Sequence, residues 1–192
     1  MGYTTDFIGH VEIHPPLNHD EQQYLSAFQA SRRFERDGGG YEVPGNPAAE
    51  NAGPRAVPVD RYNAVAAGQP SLWCGWVPAL DGSCLSYDGH EKFYRATEWM
   101  RYLIAHFLAP GAEASRSSAP WFGGFTFDHV ARGIIAGCRR DTHVLYLIEV
   151  EENVVTERRL WPVPGSGSGQ ALTGLLPYEE FLDDWEADHA YR

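Results

Sequence analysis

SLWCGWVPALDGSCLSYDGHEKFYRATEWMRYLIAHFL, residues 71–108, decides the fold of this chain. Leu72, Cys74 and Trp76 alternate with Trp73, Gly75 and Val77, the period-two pattern of a strand. Asp81-Gly82 supplies a turn, and residues 84–87 return as the partner strand. Asp88 then stands at an N-cap position with Glu91 three residues on, which predicts a helix starting at that point. Along it Ala96, Trp99, Met100, Leu103, Ile104, Phe107 and Leu108 recur at helical spacing, until Pro110-Gly111 ends the element.

Upstream, FIGHVEI (residues 7–13) alternates as a first strand and is stopped by Pro15 and Pro16. Asn18 and Glu21 form a capping-box pair, so a helix follows, with Tyr24, Leu25 and Phe28 on one face and its end near Arg32 and Arg33. Residues 34–70 are punctuated by Gly and Pro without a sustained period. That is longer than the ~12–15 residues usual for a structureless loop, and reads as a surface insertion or a lid.

Downstream, runs rich in Val, Ile, Leu and Tyr at 132–138, 143–151 and 153–160 predict a meander. The order is therefore β-α-β-β-α-β with two strands appended. That order predicts an α+β, ferredoxin-like sandwich with both helices on one face of an antiparallel sheet. Residues 1–161 form one domain, 162–176 a Gly/Ser/Pro linker, and 177–190 an acidic amphipathic helix. In that last segment Tyr178, Phe181, Leu182 and Trp185 share one face.

Composition narrows the function classes. A net charge of −11 over 192 residues lacks the basic footprint of a nucleic-acid binder and disfavours docking on anionic membranes. No secretory leader or membrane-spanning run is visible, and three widely spaced cysteines do not make a disulfide framework, so the expected address is the cytoplasm. No cofactor motif is present. Eight histidines invite a metal reading, yet no ligand spacing supports one. His10 and His14, four residues apart along a strand, stand about 13 Å from each other. No metal is expected.

GQPSLWCGWVP (68–78) and SYDGHEKFYRATEWMRYLIAHFLAPGA (86–112) carry a resemblance. They are similar to a group of uncharacterised actinobacterial and phage-associated proteins that share GQPxLWCxWVP, a D-G-x-E-K-F-Y turn and W-(L/M)-x-Y-L-I-x-H-F-L. The opening MGYTTDF and EENVV at 151–155 look similar too. The resemblance covers most of residues 1–160. It implies the domain boundaries and no catalytic role.

Two function classes follow from the residues. Trp73, Trp76 and Tyr94, with Tyr178, Phe181 and Trp185 of the tail, suit a small binding or regulatory protein that works by contact with another protein or a second copy. The phage association gives that reading a defence-related setting by analogy. The alternative is a small enzyme with a cleft between the 34–70 loop and the 88–92 turn. Its acid–base groups would be Asp88, Glu91 and Lys92, or Cys138 would act as nucleophile with His129 or His143. A closed pocket holding Asp88, Lys92 and a histidine favours the second class, and a flat aromatic patch the first. Each group also has a plain structural reading. Asp88 and Glu91 cap a helix, sheet thiols pack, and aromatics fill the core.

Overall fold

Thr5–His14 (β1) is an inner strand of a six-stranded sheet. Its odd positions Val11 and Ile13 are buried, while its even positions Ile8, His10, Glu12 and His14 are exposed. The computed structural model describes residues 2–47 and 57–161, all within the compact unit Met1–Pro162. The linker at 162–176 and the amphipathic helix at 177–190, with Tyr178, Phe181 and Trp185, lie outside the described residues.

The remaining elements follow in chain order. They are α1 (His19–Ala30), the short α2 (Val59–Asn63), β2 (Trp76–Pro78), β3 (Cys84–Tyr87) and α3 (Ala96–Leu103). After α3 the helix continues as one π-helical stretch, Ile104–Leu108. Then come β4 (Val130–Arg139), β5 (Leu145–Glu151) and β6 (Val154–Trp161). The strands lie side by side as β2-β3-β1-β4-β5-β6, and every neighbouring pair is antiparallel. The chain is thus a mixed α+β protein built on an open antiparallel sheet.

One face of the sheet carries the core. Val11, Leu85, Ile135 and Ile148 meet Phe28 of α1 and Trp99, Met100 and Phe107 of the α3 region in a single cluster. Side chains alternate along a strand, so Ile8, Ile134 and Val154 point to the other face and stand exposed. Both long helices therefore share one side. The capping box at the start of α1 forms as the sequence predicts, with Asn18 Oδ1 accepting from Glu21 N and Glu21 Oε2 accepting from Asn18 N.

Three expectations are corrected. The strand expected over 71–77 pairs with the sheet only at Trp76–Pro78. Ahead of it Arg33 N donates to Leu72 O, which draws the chain away from β3 toward the end of α1. The helix expected from Asp88 begins only at Ala96. Between them Gly89, Lys92 and Arg95 take left-handed backbone (φ 83°, 63° and 58°), and Asp88 Oδ1 accepts from His90 N in a tight turn instead of capping a helix.

The described parts of 34–70 are also more than loop. Phe34 bridges Val65, Ala66 N donates to Arg33 O, and Tyr62 and Gln69 are buried. The buried Arg33 ties this segment down. It donates to Gly40 O, Glu42 O, Gln69 Oε1 and Ser31 Oγ, and lies 4.0 Å from the centroid of the Phe28 ring. Burial lowers its pKa to about 10, still high enough to keep the charge at neutral pH.

Candidate functional site

Where residues 71–75 leave the sheet and 88–94 delay the second helix, the two irregular segments open a cavity of about 760 Å3. The end of α1 closes one side with Gln29, Ala30 and Arg32, and Val65 stands at the edge from the long segment. The walls are mostly apolar, with Trp73, Phe93 and Tyr94 as the aromatic part. This is the size range of small-molecule sites. It is also where the sequence places a cleft, between the long segment and the 88–92 turn.

Gly75 shapes the wall. A Cβ there would meet the Phe93 ring at 2.7 Å, so only glycine lets that ring lie against the backbone. Phe93 in turn packs on Trp76 at 5.1 Å and Phe7 at 5.8 Å between centroids, which ties the cavity to the core. Trp73 is partly exposed at its edge. Trp76 is not a surface residue, because it is buried and its indole N–H donates to Ala96 O.

Three of the predicted polar residues, Asp88, Glu91 and Lys92, come together here with His90. The carboxylate of Asp88 is only 9% exposed; its Oδ2 accepts from Gln29 Nε2 and lies 3.1 Å from His90 Nδ1, while the His90 side chain is 83% exposed. Glu91 pairs with Arg140 at 3.2 Å, and the same guanidinium forks onto Asp6 at 2.8 Å. Lys92 lines the cavity and makes no hydrogen bond or ion pair among the described residues. Sequence reasoning missed Arg32, whose Nε donates to Tyr62 O and Nη2 to Asn63 Oδ1. Its guanidinium lies 4.6 Å from the Tyr62 centroid and 5.5 Å from that of Trp73. An arginine just past a helix end has no motif to mark it.

The nucleophilic side chains in and near the wall fare differently. Cys74 reaches the cavity wall, but burial pushes its thiol up to about 12, so it stays protonated at neutral pH. Ser71 Oγ accepts from Trp99 Nε1 at 2.7 Å and donates to Trp73 O, which leaves no base to take its proton. The Cys138–His129 pairing is ruled out by strand geometry. Cys138 is near the end of β4 and His129 just before its start, roughly 30 Å apart at ~3.3 Å per residue. His143 sits in the β4–β5 turn with left-handed backbone (φ 52°).

His129 has a partner of another kind. Its Nε2 lies 3.1 Å from Glu21 Oε1 and its Nδ1 2.7 Å from Pro15 O, with His129 and Glu21 each 1% exposed. Both ring nitrogens face acceptors, a geometry that favours the imidazolium form. Burial alone would raise the Glu21 carboxyl, but donors from His129, Thr126 N and Asn18 N outweigh it and hold it at about 2. Burial likewise opposes the His129 charge, and Glu21 with Pro15 O overcomes that and raises its pKa.

A second depression of about 470 Å3 touches His106, which contacts Tyr41 Oη at 2.7 Å and stacks on Tyr102 at 3.9 Å. Burial lowers the His106 pKa, so the ring is neutral at physiological pH. Among the described residues no group of three or more His, Cys, Asp or Glu is placed to hold a metal ion, and no helix is long and apolar enough to cross a membrane. Comparison of the chain with protein-family models, with curated proteins and with solved structures returns no match.

Proposed function

We propose that this chain is a small-ligand-binding protein whose site is the cavity beside the 88–94 turn. The observation that carries the reading is a cavity of about 760 Å3 whose largely apolar walls meet a polar edge of Asp88, His90, Glu91 and Lys92. Binding is favoured over catalysis because the thiol and the hydroxyl in the wall are both engaged without a base. The neutral probe N-phenyl-1-naphthylamine, which brightens in apolar surroundings, tests it. The intact chain should enhance its emission saturably. Val65→Trp, which places a large ring at the edge of the cavity, should abolish most of that gain while the thermal melt stays within a few degrees. Equal enhancement by the variant would sink the reading.

The fold behind the site is proposed to be ferredoxin-like. Support comes from the first four strands, which lie in the order β4-β1-β3-β2 with α1 and α3 on one face. The second reading, action by contact with another protein or a second copy, has its own observation. Ile8, Ile134 and Val154 are 79%, 56% and 63% exposed on the face that the helices leave open.

A further inference from the structure

We infer that the ligand of this cavity is an amphipathic anion, an apolar body bearing a carboxylate, with the carboxylate read by Arg32 and Lys92. This inference rests on the proposed binding role and adds the charge of the ligand.

The two acids are engaged. Asp88 Oδ1 accepts from the His90 amide at 2.9 Å, and Oδ2 accepts from Gln29 Nε2 and faces His90 Nδ1. Glu91 faces Arg140. The two cations are not. Arg32 spends two donors on the neutral oxygens of Tyr62 and Asn63, and neither it nor Lys92 meets a carboxylate among the described residues. A guanidinium held by neutral acceptors and stacked on rings keeps its full charge and its remaining N–H donors for a carboxylate.

Trp73 argues against a cationic ligand. A cation would seek the faces of Trp73 and Tyr94, but Arg32 already lies 5.5 Å from the Trp73 centroid and would repel it. The apolar walls supply the other half of the specificity. A ligand with a single small head can leave its body against Phe93 and Val65 and keep the head at the edge. A fully polar anion gains nothing from those walls.

Three naphthalenes of one shape test the charge: 2-naphthoate, 2-naphthalenemethanol and 2-naphthylmethylammonium, titrated into the full-length chain with tryptophan emission as the readout. 2-Naphthoate should bind about three- to tenfold more tightly than the alcohol, and the ammonium most weakly. Raising the salt from 0.05 to about 0.5 M should weaken the naphthoate and leave the alcohol unchanged.

Lys92→Asn removes one cation and suits the left-handed backbone at that position. It should bring the naphthoate affinity down toward that of the alcohol. Arg32→Gln should do the same, with circular dichroism and the thermal melt verifying its fold. Equal affinities for all three probes, each blocked by Val65→Trp, would overturn the anion and leave the cavity reading standing. Preference for the ammonium would overturn it in favour of Asp88 and Glu91. If no probe binds in a way that Val65→Trp blocks, the binding role falls as well.

Discussion

Glu21 shows how much a single side chain decides. It closes the capping box of α1, accepts from Thr126 N and Oγ1, and faces the imidazolium of His129. The capping half was legible in the sequence, because Asn18 and Glu21 stand at capping-box spacing. The half that crosses to His129 was not, because a contact over more than a hundred residues leaves no local spacing. The same limit hid Arg32 and left Asp88 read as a cap.

The pair also sets a pH dependence. Glu21, held at about 2 against an ordinary 4.5, adds stability that is complete above pH 4.5 and is lost as pH falls toward 2. His129, raised above its ordinary 6.5, adds stability that is complete below pH 6.5 and is lost as pH climbs through the raised value. Urea denaturation across pH should show the pair contributing fully between about pH 4.5 and 6.5, with a decline on both sides. Glu21→Gln, which leaves a buried cation unanswered, should cost about 3–5 kcal/mol inside that window. A loss below about 1 kcal/mol would show that the pair is not stabilising.

Among the elements, the strands were the legible part. β1 alternates with period two, β3 follows an Asp-Gly turn, and the runs that became β4, β5 and β6 are rich in Val, Ile, Leu and Tyr, so pattern and composition gave them away. The start of α3 was not legible, because three residues in left-handed backbone, two of them Lys92 and Arg95, interrupt a capping-like pattern. Those interruptions are what open the cavity. The segment after α1 also hid its order, since its anchor is one buried arginine and not a periodic face. Arg33→Leu would leave Glu42 O and Gln69 Oε1 without their donor, and Gly40 O with Gln69 Nε2 alone. The expected loss is on the order of 3 kcal/mol. Hydrogen exchange should quicken at Gly39 and Glu42, whose amides bond within that turn. Unchanged exchange there would mean that Arg33 does not hold the segment.

At the scale of the whole molecule, the helices cover one face of the sheet, and the proposed binding role rests on the cavity by the 88–94 turn while the contact reading rests on the opposite face. The cavity lies beside the 88–92 turn, where the enzyme reading of the sequence set its cleft, although that reading took the turn for a helix start. Its depth was beyond reach, since it depends on Gly75 admitting Phe93. The most direct test is a 1H–15N correlation spectrum of the full-length chain titrated with 2-naphthalenemethanol, which is neutral and so independent of the anion inference. The account predicts saturable shifts gathered at Ala30, Arg32, Val65, Trp73, Gly75, Phe93 and Tyr94, residues that line the cavity. Shifts gathered instead at Ile8, Ile134 and Val154 would contradict it and point to the open face as the working surface.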